Sequence, residues 1–362
     1  MPSKLRIATL AGIRLYVHWT FSLLVLWIIV TSLRSGAGGV DILWTLLFVA
    51  SIFGCVVLHE LGHALMARRF GIATRDITLL PIGGVASLES MPEKPSEELR
   101  VALAGPAVNV VIVLLLMPVA YALHMVPDPE QLEPVTTLHG GNFLVALISV
   151  NVILAVFNLL PAFPMDGGRV LRALLAIKLG RARATAVAAL VGQVCAVGFV
   201  VLGFTSNPVL ALIGVFIFVG AGAEATHTSM QAMLSGHRVR EVMLRELHTI
   251  DAEDTIARAV QMLLDSQCRT FLVTDGGAPV GVLTRAAIIR ALSTGSDTAR
   301  VRDAMDPELS SLSPGMPLDE AFLKMQQHGK ELMPVMEDGQ LIGGLDQENV
   351  TEFVMIMTAK AR

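Results

Sequence analysis

The sequence predicts a polytopic α-helical membrane domain, with six transmembrane helices and a membrane-associated β-hairpin, followed by a cytoplasmic α/β domain built from two repeats. Three observations predict this fold class. The 362 residues are 53% hydrophobic and 16% charged, which is too apolar for an ordinary soluble protein of this length. Charged residues are sparse before about residue 235 and frequent after it. The C-terminal part also repeats itself at a fixed offset of 62 residues.

Six apolar segments are long enough to cross a bilayer. They lie at 15–33, 42–66, 101–123, 142–160, 184–204 and 208–223. The first follows Lys4, Arg6 and Arg14 and so resembles a signal peptide, but it is too long and lacks a small-residue cleavage pattern. We therefore predict a retained transmembrane helix there, and a lipid bilayer as the surroundings of residues 1–235.

The distribution of cations between the loops predicts the orientation, because Lys and Arg remain on the cytoplasmic side. With the N-terminus inside, only Arg34 falls outside. The inside set is Lys4, Arg6, Arg14, Arg68, Arg69, Arg75, Lys94, Arg100, Arg169, Arg172, Lys178, Arg181 and Arg183. We therefore expect a multi-pass protein of the cell membrane whose N-terminus and C-terminal domain are cytoplasmic.

A metal-binding pattern lies inside the second apolar segment. On a helix His59 and His63 project from one face, so two imidazoles can share one zinc ion while Glu60 is placed beside the open coordination position. Ionisable residues at membrane depth are costly and usually mark function. The alternative is a chance match in a packed helix.

The fourth apolar segment ends in Asn158 and a proline-rich loop that leads to Asp166. Two histidines leave a hydrolytic zinc site one protein ligand short, and Asp166 lies at the same end of the membrane, so it is the candidate third ligand. The alternative role for Asp166 is an N-cap of the following helix. Glu60 is the expected general base for amide hydrolysis, and the Asn158 amide is a candidate oxyanion donor.

Two further features could bind a substrate. Residues 76–88 have strand-forming residues on either side of Gly83 and Gly84, which predicts a hairpin whose edge could pair with an extended peptide. An ordinary surface hairpin is equally compatible with this pattern. Asn109, in the third segment, is a buried amide whose alternative role is a hydrogen bond between helices.

The C-terminal part has the order strand, helix, strand, strand, helix in each of its two copies. Val239 to Met243 recurs as Val301 to Met305, and Gly281 to Leu283 recurs as Gly343 to Leu345. The net charge of −4 gives no basic surface for nucleic acid, and the three separated cysteines predict no disulfide framework or cysteine zinc site.

The run His59 to His63, followed by Asn158 to Arg169, closely resembles the site-2 protease family of intramembrane zinc metalloproteases. The resemblance implies one zinc ion on His59, His63 and Asp166, with Glu60 as catalytic base and a strand hairpin around Gly83 and Gly84 that holds substrate. It also places Asn109 and Asn158 at positions that assist substrate or oxyanion binding. The implied partner is a transmembrane protein, such as a membrane-bound regulator or an anti-sigma factor.

The two C-terminal copies resemble a tandem pair of cystathionine β-synthase (CBS) domains, which bind adenine nucleotides in many proteins. The positions expected to hold a ribose read Thr284 and Ala287 in the first copy, and Asp346 and Asn349 in the second. These departures make a structural or dimerising role at least as compatible as nucleotide binding. The predicted domains are a protease domain at 1–235, a first CBS domain at 236–298 and a second at 299–362.

Two alternative functions remain at this point: a membrane transporter regulated by CBS domains, and a catalytically silent membrane scaffold. A transporter would need a polar path through several spans, whereas the spans are nearly devoid of charge outside the zinc-site residues. The intact set of His59, Glu60, His63 and Asp166 argues against a silent scaffold.

Overall fold

A computed structural model describes residues 4–81, 83–88, 92, 94–125, 142–266, 268–293 and 299–360. The chain divides into two compact units, Met1–Thr228 and Ser229–Arg362. The helices of the first unit are α1 (Phe21–Arg34), α2 (Gly39–Arg69), α3 (Pro95–Ala122), α4 (Phe143–Asn158), α5 (Asp166–Leu179), α6 (Arg181–Thr205) and α7 (Pro208–Leu234), the last of which contains the division. Its strands are β1 (Lys4–Leu10), β2 (Ile13–His18), β3 (Thr74–Leu80) and β4 (Gly83–Leu88).

Among the described residues, α2, α3, α6 and α7 are the four helices long and apolar enough to cross a membrane. The helices α1 and α4 are apolar but shorter, with 14 and 16 residues. Large apolar side chains cover the outside of these helices, and Leu115, Leu212 and Phe204 are 67%, 71% and 84% exposed. Such surface suits contact with lipid tails rather than water. The first unit is therefore a membrane domain.

The start of the first predicted span is a strand rather than a helix. Residues 15–18 belong to β2, and α1 begins only at Phe21. Ile13 and Leu15 are each 6% exposed while Arg14 between them is exposed, which is the two-residue alternation of a strand with one buried face. Hydropathy alone does not separate residues 15–18 from the helix that follows them. The alternation of buried and exposed side chains instead reflects the pairing of β2 with β3.

These strands form one sheet in the order β1-β2-β3-β4. β1 pairs antiparallel with β2, β2 pairs parallel with β3, and β3 pairs antiparallel with β4. The inner face of the sheet packs on α2, where Leu15, Ile77 and Leu79 share a buried cluster with Val57 and Ala64. The predicted hairpin strands are thus half of a larger sheet, and β4 is one of its two edges.

The second unit contains two copies of the predicted order. The first copy comprises β5 (Thr249–Asp251), α9 (Ile256–Asp265), β6 (Thr270–Asp275), β7 (Ala278–Thr284) and α10 (Arg285–Ser293). The second comprises α12 (Leu318–His328), β8 (Leu332–Glu337), β9 (Gln340–Asp346) and α13 (Gln347–Lys360). Its first strand is reduced to one parallel bridge, Leu312 to Val335, at the positions that correspond to Ile250 and Val273.

Two short helical turns each pack into the core of the copy to which they do not belong in the sequence. α8 (Val239–Val242) places Val239 in the core of the second copy, together with Leu318 and Val335. α11 (Val301–Ala304) places Val301 in the core of the first copy, together with Ile256. Each core is therefore completed by a segment that the repeat pattern assigns to the other copy. Residues 294–298, next to the expected domain boundary, lie outside the described residues.

Candidate metal centre

Two histidines of α2 converge on one point inside the membrane unit. His59 and His63 are 6% and 3% exposed, and their four-residue spacing puts both rings on the same face of the helix. Their Nε2 atoms lie 3.1 Å apart. Two imidazole nitrogens at this separation cannot both keep their lone pairs facing each other without a proton or a cation between them.

Asp166 supplies a third atom at the same point. Its Oδ2 lies 3.2 Å from His59 Nε2 and 3.1 Å from His63 Nε2. Asp166 is the first residue of α5, and the N-cap position before it is occupied by Met165, so the Asp166 side chain is not a helix cap. The structure thus brings the three predicted ligands together, and the other Asp166 oxygen lies 3.8 Å from Arg169.

Two glycines allow the proline-rich loop to present Asp166. A Cβ atom at Gly167 would lie 2.2 Å from the Leu160 carbonyl oxygen, and one at Gly168 would lie 2.6 Å from the Phe163 nitrogen. The first turn of α5 therefore folds directly against the loop that precedes it. Any side chain at either position would displace the turn that carries Asp166.

Buried amides determine which His59 nitrogen carries the proton. Asn151 donates to the Leu147 carbonyl at 2.8 Å, so its amide oxygen is free to accept from Asn109 Nδ2 at 2.9 Å. The Asn109 oxygen must then accept from His59 Nδ1–H at 2.6 Å. We call the chain formed by His59, Asn109, Asn151 and the Leu147 carbonyl the amide relay. It leaves the lone pair on His59 Nε2.

A main-chain carbonyl has the same effect on the second histidine. His63 Nδ1 lies 2.7 Å from the carbonyl oxygen of Val101, which can only accept, so this nitrogen carries a proton and Nε2 presents its lone pair. Two imidazole lone pairs and one carboxylate oxygen therefore face a common point. Within the described part of the chain, this is the group of His, Cys, Asp or Glu residues whose ligand atoms lie within 4.8 Å of one another. The donor set fits zinc, which binds imidazole and carboxylate ligands.

The helix α3 approaches this point with its backbone. A Cβ atom at Gly105 would lie 2.1 Å from His63 Nε2 and 2.6 Å from His59 Nε2. Gly62 in α2 has a similar close contact, since a Cβ there would lie 2.8 Å from the Ala104 carbonyl oxygen. Glycine at both positions lets α2 and α3 approach closely enough for α3 to form one wall of the site.

The predicted base Glu60 and the predicted hairpin meet beside α2. Glu60 is half-buried, and a Cβ atom at Gly84 would lie 2.9 Å from Glu60 Cγ. Gly83 has a φ of +140°, a conformation that favours glycine at the start of β4. The edge strand β4 therefore runs directly beside Glu60.

The remaining predicted residues lie in different surroundings. Asn109 is fully buried in the amide relay, so the structure places it in the interhelical hydrogen bond that was its alternative role. Asn158 is half-buried and donates to the Leu154 carbonyl of its own helix at 2.9 Å. No hydrogen bond connects Asn158 to the three ligands among the residues that the structure describes.

Sequence reasoning missed Asn151, although a polar amide within an apolar span was a usable signal. It also missed an ion cluster in which the buried Arg172 contacts the buried Glu98 and the half-buried Glu224. The charge distribution places Arg172 among the cytoplasmic loop cations. In the structure the Arg172 side chain is only 1% exposed and contacts both carboxylates.

The expected ribose-holding positions of the second unit make bonds to the main chain instead. Thr284 Oγ1 accepts from the Ala287 nitrogen at 3.2 Å, and Asn349 donates to the Val242 carbonyl. Asp346 Oδ1 accepts from the Glu348 nitrogen at 2.6 Å, and burial raises the pKa of Asp346. These side chains therefore take part in helix starts and in the packing of the repeats.

Comparisons with known proteins agree with both halves of the chain. The sequence profile of Peptidase family M50 matches residues 47–139 and 129–202, and that of the CBS domain matches 239–294 and 301–355. A zinc metalloprotease of Methanocaldococcus jannaschii is 30% identical over 361 residues, which cover 99% of this chain and 98% of that protein. Stage IV sporulation protein FB of Bacillus subtilis is 31% identical over 118 residues, covering 32% of this chain and 36% of that protein.

Among solved structures, a site-2 protease from Methanocaldococcus jannaschii is 37% identical and covers 61% of this chain and 95% of that chain, with a TM-score of 0.44. The full-length similarity to the archaeal metalloprotease extends across both units of the chain. The chain therefore belongs to peptidase family M50 and carries a tandem pair of CBS domains at its C-terminal end.

Proposed function

We propose that this protein is an intramembrane zinc endopeptidase that hydrolyses peptide bonds in or near transmembrane segments of other membrane proteins. One observation carries the proposal: His59 Nε2, His63 Nε2 and Asp166 Oδ2 lie within 3.1 to 3.2 Å of one another. Both Nδ1 atoms are committed to acceptors, so the three atoms at the centre are all electron-pair donors. Such a set fits a cation with one coordination position left open.

In the proposed reaction, zinc and the side chains of the protein have separate roles. Zinc held by these residues would act as a Lewis acid and make water nucleophilic near neutral pH. The Glu60 carboxylate is adjacent in sequence to His59 and accepts the proton of the attacking water. It then donates that proton to the leaving amine. Asn158 has a second N–H besides the one bound to Leu154, and we propose that this N–H donates to the developing oxyanion.

Metal removal tests the proposal directly. The full chain, purified in detergent and reconstituted with a single-span membrane protein as substrate, should contain about one zinc per chain, as expected for one three-ligand site. Chelation should stop cleavage, and added zinc should restore it. Asp166→Ala should purify with little zinc. Cleavage that continues at the same rate after complete zinc removal would contradict the proposal.

We infer that an extended substrate segment pairs with the free edge of β4. This edge lies beside Glu60, and its main-chain groups can form a further strand of the sheet with an unfolded peptide. Gly83 and Gly84 permit the close approach, which supports the substrate-binding role expected from the hairpin.

Gly84→Val is expected to lower cleavage at least tenfold while zinc content stays unchanged, since the new side chain would collide with Glu60 Cγ and move either the strand or the base. Activity and zinc content are measured on the same preparation. Gly54→Ala is the matched control, because a Cβ atom at Gly54 in α2 meets nothing within 4 Å. Equal activity of Gly84→Val and wild type would show that β4 does not position substrate at Glu60.

We assign Asn109 and Asn151 to positioning His59 rather than to binding substrate. Asn151→Leu removes the group that fixes the Asn109 amide, and zinc affinity should fall about 10- to 100-fold, the usual effect of losing a partner behind a metal ligand. Competition with a chromophoric chelator measures this. Ser149→Ala is the control, because the Ser149 hydroxyl donates to the Val145 carbonyl of its own helix, and this variant should bind zinc as wild type does. Unchanged affinity in Asn151→Leu would exclude the positioning role.

We further propose that all six predicted segments cross the membrane, with both termini cytoplasmic. The supporting observation is the excess of cations at one set of helix ends. The shorter helices α1 and α4 span about 21 and 24 Å at 1.5 Å per residue, which local thinning of the bilayer accommodates. A protease-sensitive tag at the C-terminus should be cleaved in inverted vesicles and protected in intact cells. The reverse pattern would exclude this orientation.

For the CBS pair we propose a structural and dimerising role rather than nucleotide binding. Two observations support it: the first copy has Ala287 in place of an acid and the second has Asp346 in place of a hydroxyl, and Thr284, Asp346 and Asn349 each already bond to the main chain. Titration with ATP and AMP should give no binding heat at millimolar concentration, whereas the purified chain should sediment as a dimer. Saturable nucleotide binding would overturn this role.

A further inference from the structure

A guanidinium group is buried on the helix that carries Asp166 without taking part in the metal centre. The Arg172 side chain is 1% exposed, and it lies in α5 six residues after Asp166. A buried charge is costly unless partners compensate it, so its surroundings must be arranged around it. Nothing in the proposed chemistry uses this group.

Three segments meet at this guanidinium. Arg172 Nε donates to Glu98 Oε1 of α3 at 2.7 Å, and Arg172 Nη1 contacts Glu224 of α7. The guanidinium carbon also lies 5.1 Å from the centre of the Phe163 ring. Glu98 is 3% exposed, so the pair that it forms with Arg172 is almost entirely removed from solvent.

Two of these contacts lead to the metal ligands. Phe163 belongs to the loop that ends at Asp166, and its ring packs with Ala221 of α7. Glu98 lies three residues before Val101, and the Val101 carbonyl oxygen accepts a hydrogen bond from His63 Nδ1. Arg172 therefore connects the segment that presents Asp166 with the segment that orients His63.

We propose that Arg172 is a positioning residue that fixes Asp166 relative to His63 by holding Phe163 and Glu98 together. It does not touch the metal or the substrate. The inference rests on the proposed metal site, and it assigns a role to a residue that the charge distribution alone places in a solvated loop.

Arg172→Lys tests the role because a lysine ammonium keeps the charge but cannot reach two carboxylates in a fork while stacking on Phe163. Zinc affinity should fall about 10- to 100-fold, by analogy with other partners that orient metal ligands. The visible absorption of the cobalt-substituted protein should also change, because it reports coordination geometry. Thr185→Val is the control: Thr185 is equally buried, but its hydroxyl bonds within α6 to the Arg181 carbonyl.

Thermal unfolding with excess chelator separates positioning from general stability. The proposal expects Arg172→Lys to lose zinc affinity even where its metal-free melting temperature is no lower than that of Thr185→Val. If Arg172→Lys does not fold, Phe163→Leu replaces it, since it removes the ring that the guanidinium packs on and leaves the charges in place. Wild-type zinc affinity and an unchanged cobalt spectrum in the folded variant would overturn the proposal. Wild-type affinity in Asp166→Ala would instead show that the metal site itself is misassigned.

Discussion

Glu60→Gln is expected to abolish cleavage while the protein keeps its zinc. Gln has nearly the shape of Glu but cannot accept the proton of the attacking water, and general base catalysis contributes roughly 10²- to 10⁴-fold to such reactions. The metal remains because its three proposed ligands are untouched. The rate of cleavage of a reconstituted membrane substrate and the zinc content of the same sample give the two values.

The control for this variant is His63→Ala, which should lose zinc and activity together. Asn158→Ala, compared in the same assay, should keep zinc and lower the rate if its free N–H serves the oxyanion. Cleavage by Glu60→Gln at the wild-type rate would remove Glu60 from the mechanism. Loss of zinc from Glu60→Gln would show that Glu60 holds the metal instead of acting as the base.

Gly105→Ala is expected to empty the metal centre without unfolding the protein. The added methyl group would come within 2.1 Å of His63 Nε2 and 2.6 Å of His59 Nε2, so both rings must turn away from the central point. The atoms that must move are the ends of side chains, and therefore the site is lost rather than the helix packing. Alanine also favours a helix over glycine by up to about 1 kcal/mol.

Zinc content should therefore fall to near zero in Gly105→Ala, while the metal-free protein still folds, at a temperature lowered by the loss of the buried ring bonds to Asn109 and Val101. Gly54→Ala again serves as the matched control, as it adds the same methyl group to open space in α2. Normal zinc binding by Gly105→Ala would mean that the imidazoles do not meet at the point where the structure places them.

The metal centre was predictable from sequence because its residue types and spacing are chemically specific. His59 and His63 share a helix face through local geometry alone, and a two-histidine site needs a further ligand, which led to Asp166. The C-terminal repeats were predictable for a related reason. Alternating and helical apolar patterns occur twice at one offset, and the strand and helix order of the second unit confirms them.

Features that depend on distant partners were not predictable. Arg172 can be buried because Glu98 and Glu224, which are 74 and 52 residues away in the sequence, compensate its charge. A count of cations in the loops uses only the sequence position of each cation and does not include such partners. Residues 15–18 form a strand because they pair with β3, and a hydropathy profile contains no information about this pairing. The exchange of α8 and α11 between the repeats likewise needs the packed structure, because both turns look equivalent in the sequence.

The amide relay also has a consequence for motion. Its bonds cross from α2 to α3 and from α3 to α4, and Asn109 and Asn151 are both completely buried. Separating any of these three helices would break the bonds in an apolar setting where water cannot replace them at once. A membrane substrate must therefore reach the catalytic centre by a displacement that leaves α2, α3 and α4 together. The side-chain amide protons of Asn109 and Asn151 should then exchange with deuterium slowly, even while the enzyme turns over.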